Sequence, residues 1–126
     1  MLQLRPEQYE ALLAHSFKAL ETRIVAAVKR SWPVLCATMG DERLRRCVRR
    51  ARVRARIHGL QREGEILRFA RLMLAWGEDF DRSSETPWAA QIVAWRNCDA
   101  PTRLDALEGR SEVELRRRPE LFQRLR

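Results

Sequence analysis

Four carboxylates crowd one short span of the sequence: Glu78, Asp79, Asp81 and Glu85. Oxygen donors at this density are what a hard cation such as calcium gathers as ligands. The span lacks the length and the glycine of a calcium loop, and Phe80 interrupts the alternation of donors. The expectation is a polar loop in which Asp79 and Asp81 cap helices and pair with arginines, with Phe80 as an apolar peg between helices. The other reactive side chains are scattered. His15 neighbours Ser16, but adjacent helical residues point apart and form no dyad. Cys47 is flanked by Arg46 and Arg50, cations of the kind that lower a thiol's pKa. Its place on an apolar arc nevertheless makes it a core thiol. His58 precedes Gly59 at a helix end, where capping is its expected task. No glycine-rich phosphate loop, HExxH pair or nucleophile elbow is present. The sequence assigns no catalytic residue, no metal and no cofactor, and the chain is expected to act by binding, not as an enzyme.

Arginine is the second chemical signal. The net charge of +8 is unevenly spread, because residues 41–72 hold eleven arginines against Asp41, Glu42, Glu63 and Glu65. Only Lys18 and Lys29 are lysines. A guanidinium pairs carboxylate or phosphate through a planar fork, where lysine offers a point charge. On a helical wheel Arg45, Arg49, Arg52 and Arg56 share one polar arc, and they are the expected partner-binding residues. An acidic protein surface fits such a face, and so does the phosphate backbone of nucleic acid. The helix carrying these arginines has no Asn, Gln, Ser or Thr to read base edges, and no helix-turn-helix spacing is evident. A protein partner is therefore preferred, with a merely solvated face as the alternative that asks for no partner. Trp32, Trp76, Trp88 and Trp95 fall at or near helix ends. Core packing is their default role, although tryptophan with arginine is also the composition of binding hot spots.

The elements that must position these residues read as helices throughout. Pro6 opens the first. Tyr9, Leu13, Phe17, Leu20, Ile24 and Val28 follow as a single apolar stripe. Ser31 and Pro33 break it, and a short segment runs to Gly40. Asp41 is the expected N-cap of the arginine helix, whose apolar arc is Leu44, Cys47, Val48, Ala51 and Ala55 and whose end is His58-Gly59. Residues 62–76 are apolar almost all round, which places that helix at the centre. Gly77 is its C-cap. After the acidic loop, Thr86 caps and Pro87 starts a short helix with Trp88, Ile92, Val93 and Trp95. Asn97 to Asp99 make a further break, and Pro101 starts a helix with Leu104 and Leu107. The fold class is all-α, a compact bundle of about five to six helices. Residues 1–110 are the expected bundle domain, and 111–126 a charged C-terminal helix or tail.

Length and composition agree with one folded domain: 126 residues, 45% of them hydrophobic, lie well outside the disordered range. Cys36, Cys47 and Cys98 match no zinc spacing and are expected as buried free thiols of a reducing compartment. The start Met1-Leu2-Gln3-Leu4-Arg5 has no apolar core of signal length. No run approaches the roughly 18 apolar residues of a membrane span. The chain is expected to be cytoplasmic, with no membrane association.

Several of these elements stand in a recognisable order. Arg56-Ile57-His58-Gly59 is followed by Glu63-Gly64-Glu65, Arg68-Phe69 and Leu72-Met73-Leu74. Then come Gly77-Glu78-Asp79-Phe80-Asp81, Pro87-Trp88-Ala89 and Arg103-Leu104-Asp105-Ala106-Leu107. In this layout, over roughly residues 5–110, the chain resembles small helical accessory proteins of bacterial type VI secretion. Those are encoded beside PAAR-repeat tips, adaptor chaperones and toxic effectors. The loop Arg82-Ser83-Ser84-Glu85 departs from the more proline-rich version of the pattern. The resemblance implies a non-enzymatic co-chaperone that helps an adaptor chaperone hold or load an effector. A nucleic-acid-binding regulator using the arginine helix is one alternative. The other is an immunity protein that blocks a basic toxin with the acidic loop 78–85.

Overall fold

A computed structural model describes residues 5–125, apart from the side chains of Leu13 and Ala14. These residues form seven helices: α1 (Pro6–Ser31), α2 (Pro33–Met39), α3 (Asp41–Ile57), α4 (Glu63–Trp76), α5 (Pro87–Val93), α6 (Ala100–Arg116) and α7 (Pro119–Leu125). No strand occurs among the described residues. The protein is an all-α bundle, one helix richer than expected because the C-terminal stretch forms α7.

Pro6 stands at the first position of α1, where its missing N–H costs nothing, and the Arg5 N–H donates to Gln8 Oε1 at 3.0 Å. The expected stripe divides along its length. Ile24 and Val28 are buried and Leu20 half-buried, whereas Tyr9 and Phe17 are 54% and 43% exposed. The Leu13 side chain, also expected on the stripe, lies outside the described residues, as do Met1 to Leu4. From Pro6 to Lys18 every described side chain of α1 is exposed, so this half of the helix has no core beneath it.

Gly40 ends α2 at φ 84°, a conformation that favours glycine. Asp41 is the first residue of α3 and not its N-cap; Gly40 takes that place. The Asp41 carboxylate instead meets Lys29 Nζ at 2.7 Å, which holds its pKa below the ordinary value. The apolar arc of α3 is buried as its spacing predicts. α4 packs against α1, α3 and α6, and buries Ile66, Phe69, Ala70, Leu72, Met73 and Ala75. Its acidic start is a cap: Glu65 Oε1 accepts from the backbone N–H of Arg62 at 3.1 Å and of Gln61 at 3.2 Å.

The second half of the chain departs from expectation at three points. Trp95 lies beyond the end of α5 and is 46% exposed, because the chain leaves the helix at Val93 and turns through Asn97 at φ 60°. Cys98 sits in that turn, half-buried, while Cys36 and Cys47 are buried helical thiols as expected. The expected division at residue 110 falls inside α6, which runs unbroken through Gly109. Ser111 is buried there and accepts the Trp76 indole N–H at 2.8 Å. α7 then folds back, and Leu125 joins Leu35 and Ala75 in a small second core. Among the described residues no helix is long and apolar enough to cross a membrane.

Candidate partner-binding site

The acidic loop turns one carboxylate inward. Gly77, at φ 112°, ends α4 and lets the chain reverse. Phe80 then enters the core beside Phe69, ring centroids 5.0 Å apart, and carries Asp81 in with it. The Asp81 side chain is fully buried. Its Oδ2 accepts from the Arg54 guanidinium, with Nε at 3.1 Å, and lies 2.7 Å from His58 Nε2. Its Oδ1 is buried without a hydrogen-bond partner among the described residues. Arg54 lies in the last turn of α3 and His58, four residues on, is its C-cap, so the two side chains reach the same side. His58 holds the C-cap of α3, as expected, its backbone N–H donating to the Ala55 carbonyl at 3.0 Å, and its ring closes this buried cluster as well. Thr86 holds the cap position of α5, yet its hydroxyl makes no cap bond and donates to the Phe80 carbonyl at 2.7 Å. That bond ties the two ends of the loop together.

The remaining loop acids stay at the surface. Asp79 pairs with Arg82 at 3.0 Å and with Arg50 at 3.4 Å, and its pKa is lowered by the Arg82 hydrogen bond in the first place. Glu78 pairs with Arg50 at 3.1 Å. Neither Asp79 nor Asp81 accepts a capping bond from a helix start; arginine competes for both with a full charge. Among the described residues no group of three His, Cys, Asp or Glu side chains gathers in a way that could hold a metal. Pro87 is exposed at the start of α5, and Trp88 is buried with its ring edge-on to Trp76 at 5.3 Å. Burial pushes the Cys47 thiol up to about 11, against the lowering by Arg50, so it is a poor nucleophile near neutral pH.

The four arginines singled out from the wheel all lie along a trough between α1 and α3. Two cavities, of about 370 and 640 Å³, share Phe17, Leu20 and Arg52 and so adjoin. Arg45, Arg49 and Arg52 line the first, Arg52 and Arg56 the second. The four do not have equal freedom. Arg49 is held by Glu21 of α1 at 3.0 Å, and its side chain is 63% exposed. The Arg52 guanidinium carbon lies over the Phe17 ring, 3.9 Å from its centre. The side chains of Arg45 and Arg56 are exposed and make no ion pair or hydrogen bond among the described residues. The apolar floor is Phe17, Leu20, Val53, Ile57, Leu60 and Ile66, of which Val53 and Ile57 are 57% and 63% exposed. Sequence reasoning gave the arginines of this trough but not the apolar side chains between them. Val53 and Ile57 stand four apart beside the arginine arc, and that spacing was the available signal.

Comparison with known protein families, with curated proteins and with solved structures finds no match to this chain.

The other recurrent elements of the sequence hold the bundle together. Arg103 donates to the His58 carbonyl at 2.8 Å and to the Val93 carbonyl at 3.2 Å, a cation set against two helix ends. Leu104 and Leu107 are buried. Arg68 of α4 grips Glu108 and Asp105 of α6, and these partners, Glu108 foremost, raise its pKa above the ordinary arginine value.

Proposed function

We propose that this protein is a non-enzymatic binding module that acts as a co-chaperone in type VI secretion, helping an adaptor chaperone hold or load an effector. The single observation that supports binding is the open trough of α1 and α3, where exposed apolar side chains lie under a row of arginines. Exposed apolar surface rimmed by polar groups is the usual mark of an interaction site. The secretion context rests on the order of sequence elements from Arg56 to Leu107.

The two rival readings fit the surface less well. Nucleic acid would satisfy the arginines but leave Val53 and Ile57 uncovered, since a phosphate ridge offers little apolar contact. An immunity protein working through loop 78–85 needs several free carboxylates, yet three of its four, Glu78, Asp79 and Asp81, are already engaged by Arg50, Arg82, Arg54 and His58. The test is co-expression of the tagged chain with a type VI adaptor chaperone and effector, followed by affinity capture. A DNA and RNA shift assay at physiological salt is run in parallel. Stoichiometric capture of adaptor or effector with no nucleic-acid shift is the expected result. Tight, salt-sensitive nucleic-acid binding with neither protein captured would overturn the proposal.

A further inference from the structure

We infer that the trough between α1 and α3 is the docking site for an acidic amphipathic helix of a partner protein. This rests on the reading of the chain as a protein-binding module and specifies the chemistry of what it binds. The shape comes first. The two adjoining cavities run beside α3 from Arg45 to Arg56, a helical distance of roughly 16 Å, or about three turns. Arg45, Arg49, Arg52 and Arg56 recur at spacings of four, three and four. A row with helical period along a straight axis is matched by a second helix laid alongside, with carboxylates at the same spacing.

The chemistry narrows the occupant further. Lys18, Arg45, Arg49, Arg52 and Arg56 line the trough against one acid, Glu21, which Arg49 already holds. The rim is thus strongly positive, and a ligand of opposite sign is steered to it. Beneath the rim, Phe17, Val53 and Ile57 are exposed. Further along α1, Tyr9 and Leu12 are each 54% exposed as well. A ligand that satisfies both features has apolar residues on one face and flanking carboxylates, which is the helix-in-groove mode of recognition. A second copy of this chain does not have that character. A two-fold dimer sets the same patch against itself, so arginine would face arginine.

The experiment uses the full chain and a defined probe: a fluorescent, stapled helical peptide of about four turns with leucine on one face and glutamate on its flanks. The same peptide with lysine replacing glutamate, anionic phosphatidylglycerol vesicles and a short DNA duplex are the comparators. Binding is followed by anisotropy at physiological salt, and the site is mapped by backbone amide shifts. The glutamate peptide should bind and shift amides at residues 17–24 and 45–57. Arg52→Glu with Arg56→Glu should weaken it by about tenfold or more, while Arg43→Glu with Arg96→Glu, outside the trough, should change it by no more than about twofold. Ile57→Ser, an exposed floor change that leaves the buried arc intact, should weaken it by about fivefold. Equal binding of the lysine peptide, shifts confined to other helices, or no binding of the glutamate peptide at about 1 mM overturns the inference. Vesicles or DNA shifting the trough amides where the glutamate peptide does not also overturns it. The two proposals fail separately. Adaptor or effector capture that survives the Arg52/Arg56 reversal removes the trough but keeps the binding module. Absence of capture by the native chain removes the module itself.

Discussion

Asp81 is the residue on which the acidic loop turns. A carboxylate with a fully buried side chain is tolerated only if its charge is met, and here two donors from the C-terminal end of α3 meet it at a single oxygen. The sequence showed the carboxylate and an arginine-rich helix, and pairing between them was a fair expectation. It did not show which arginine. Arg54 reads like its exposed neighbours, because an inward guanidinium and an outward one leave the same letter. The clue was that Arg54 and His58 stand four apart, clear of the arc shared by Arg45, Arg49, Arg52 and Arg56. The geometry predicts unequal costs for two neighbouring acids. Asp81→Ala leaves Arg54, only 15% exposed, without its counter-charge, and should cost about 3 kcal/mol, the low end for a broken buried pair because Arg54 retains some access to water. Asp79→Ala removes two surface pairs that water screens and should leave stability almost unchanged. Urea denaturation of both variants measures the difference. Equal losses would mean that Asp81 is not held in the interior as described.

Among the elements, α4 was the most legible and α1 the least. The apolar circumference of α4 could meet water on no face, so its central place followed from burial alone. The period of α1 was just as clear, yet periodicity says which face is apolar and not what covers it. Ile24 and Val28 found the core, while Tyr9 and Phe17 did not. The loop between α4 and α5 lies between these cases. Its aromatic peg was expected from sequence, but the Thr86 hydroxyl that closes it was read as a helix cap, because a threonine before proline suits either task. Phe69 and Phe80 pack together where α4 meets this loop, both essentially without exposure. Truncating either to alanine opens a cavity that the rigid helices around it cannot fill, and should cost about 3–5 kcal/mol. Phe80→Ala should also loosen the loop, since Asp81 is drawn inward by its neighbour. Chemical denaturation gives the first effect, and amide exchange across residues 77–86 the second. A loss under about half a kcal/mol for Phe80→Ala would place the ring at the surface, where changes have that size.

Taken as a whole, the molecule has a large core and a small one, and they divide its dependence on the C-terminus. The large cluster draws on α1 to α6 and the loop, and includes nothing from α7. The small one joins Leu125 of α7 to Leu35 of α2 and Ala75 of α4. Arg118 adds a cation over the Trp76 ring at 5.6 Å. A helix of seven residues does not hold itself in water, so α7 is ordered by this docking and not by its own propensity. Its sequence, Arg116-Arg117-Arg118-Pro119 and then a mixed stretch, gave no sign of which small patch would receive it. Cutting the chain after Arg117 removes the burial of Leu125 and uncovers Leu35 and Ala75, but removes no buried residue of the large core. Burying one leucine contributes roughly 1.5–3 kcal/mol, and part of that is offset by the entropy of ordering the tail. The shortened protein should therefore remain folded with one cooperative transition and lose about 1–2 kcal/mol, a fall in melting temperature of roughly 3–8 °C for a domain of this size. Thermal melts followed by far-ultraviolet circular dichroism test both parts. A chain that fails to fold after the cut would make α7 part of the main core. An unchanged melting temperature would mean that α7 does not dock at all.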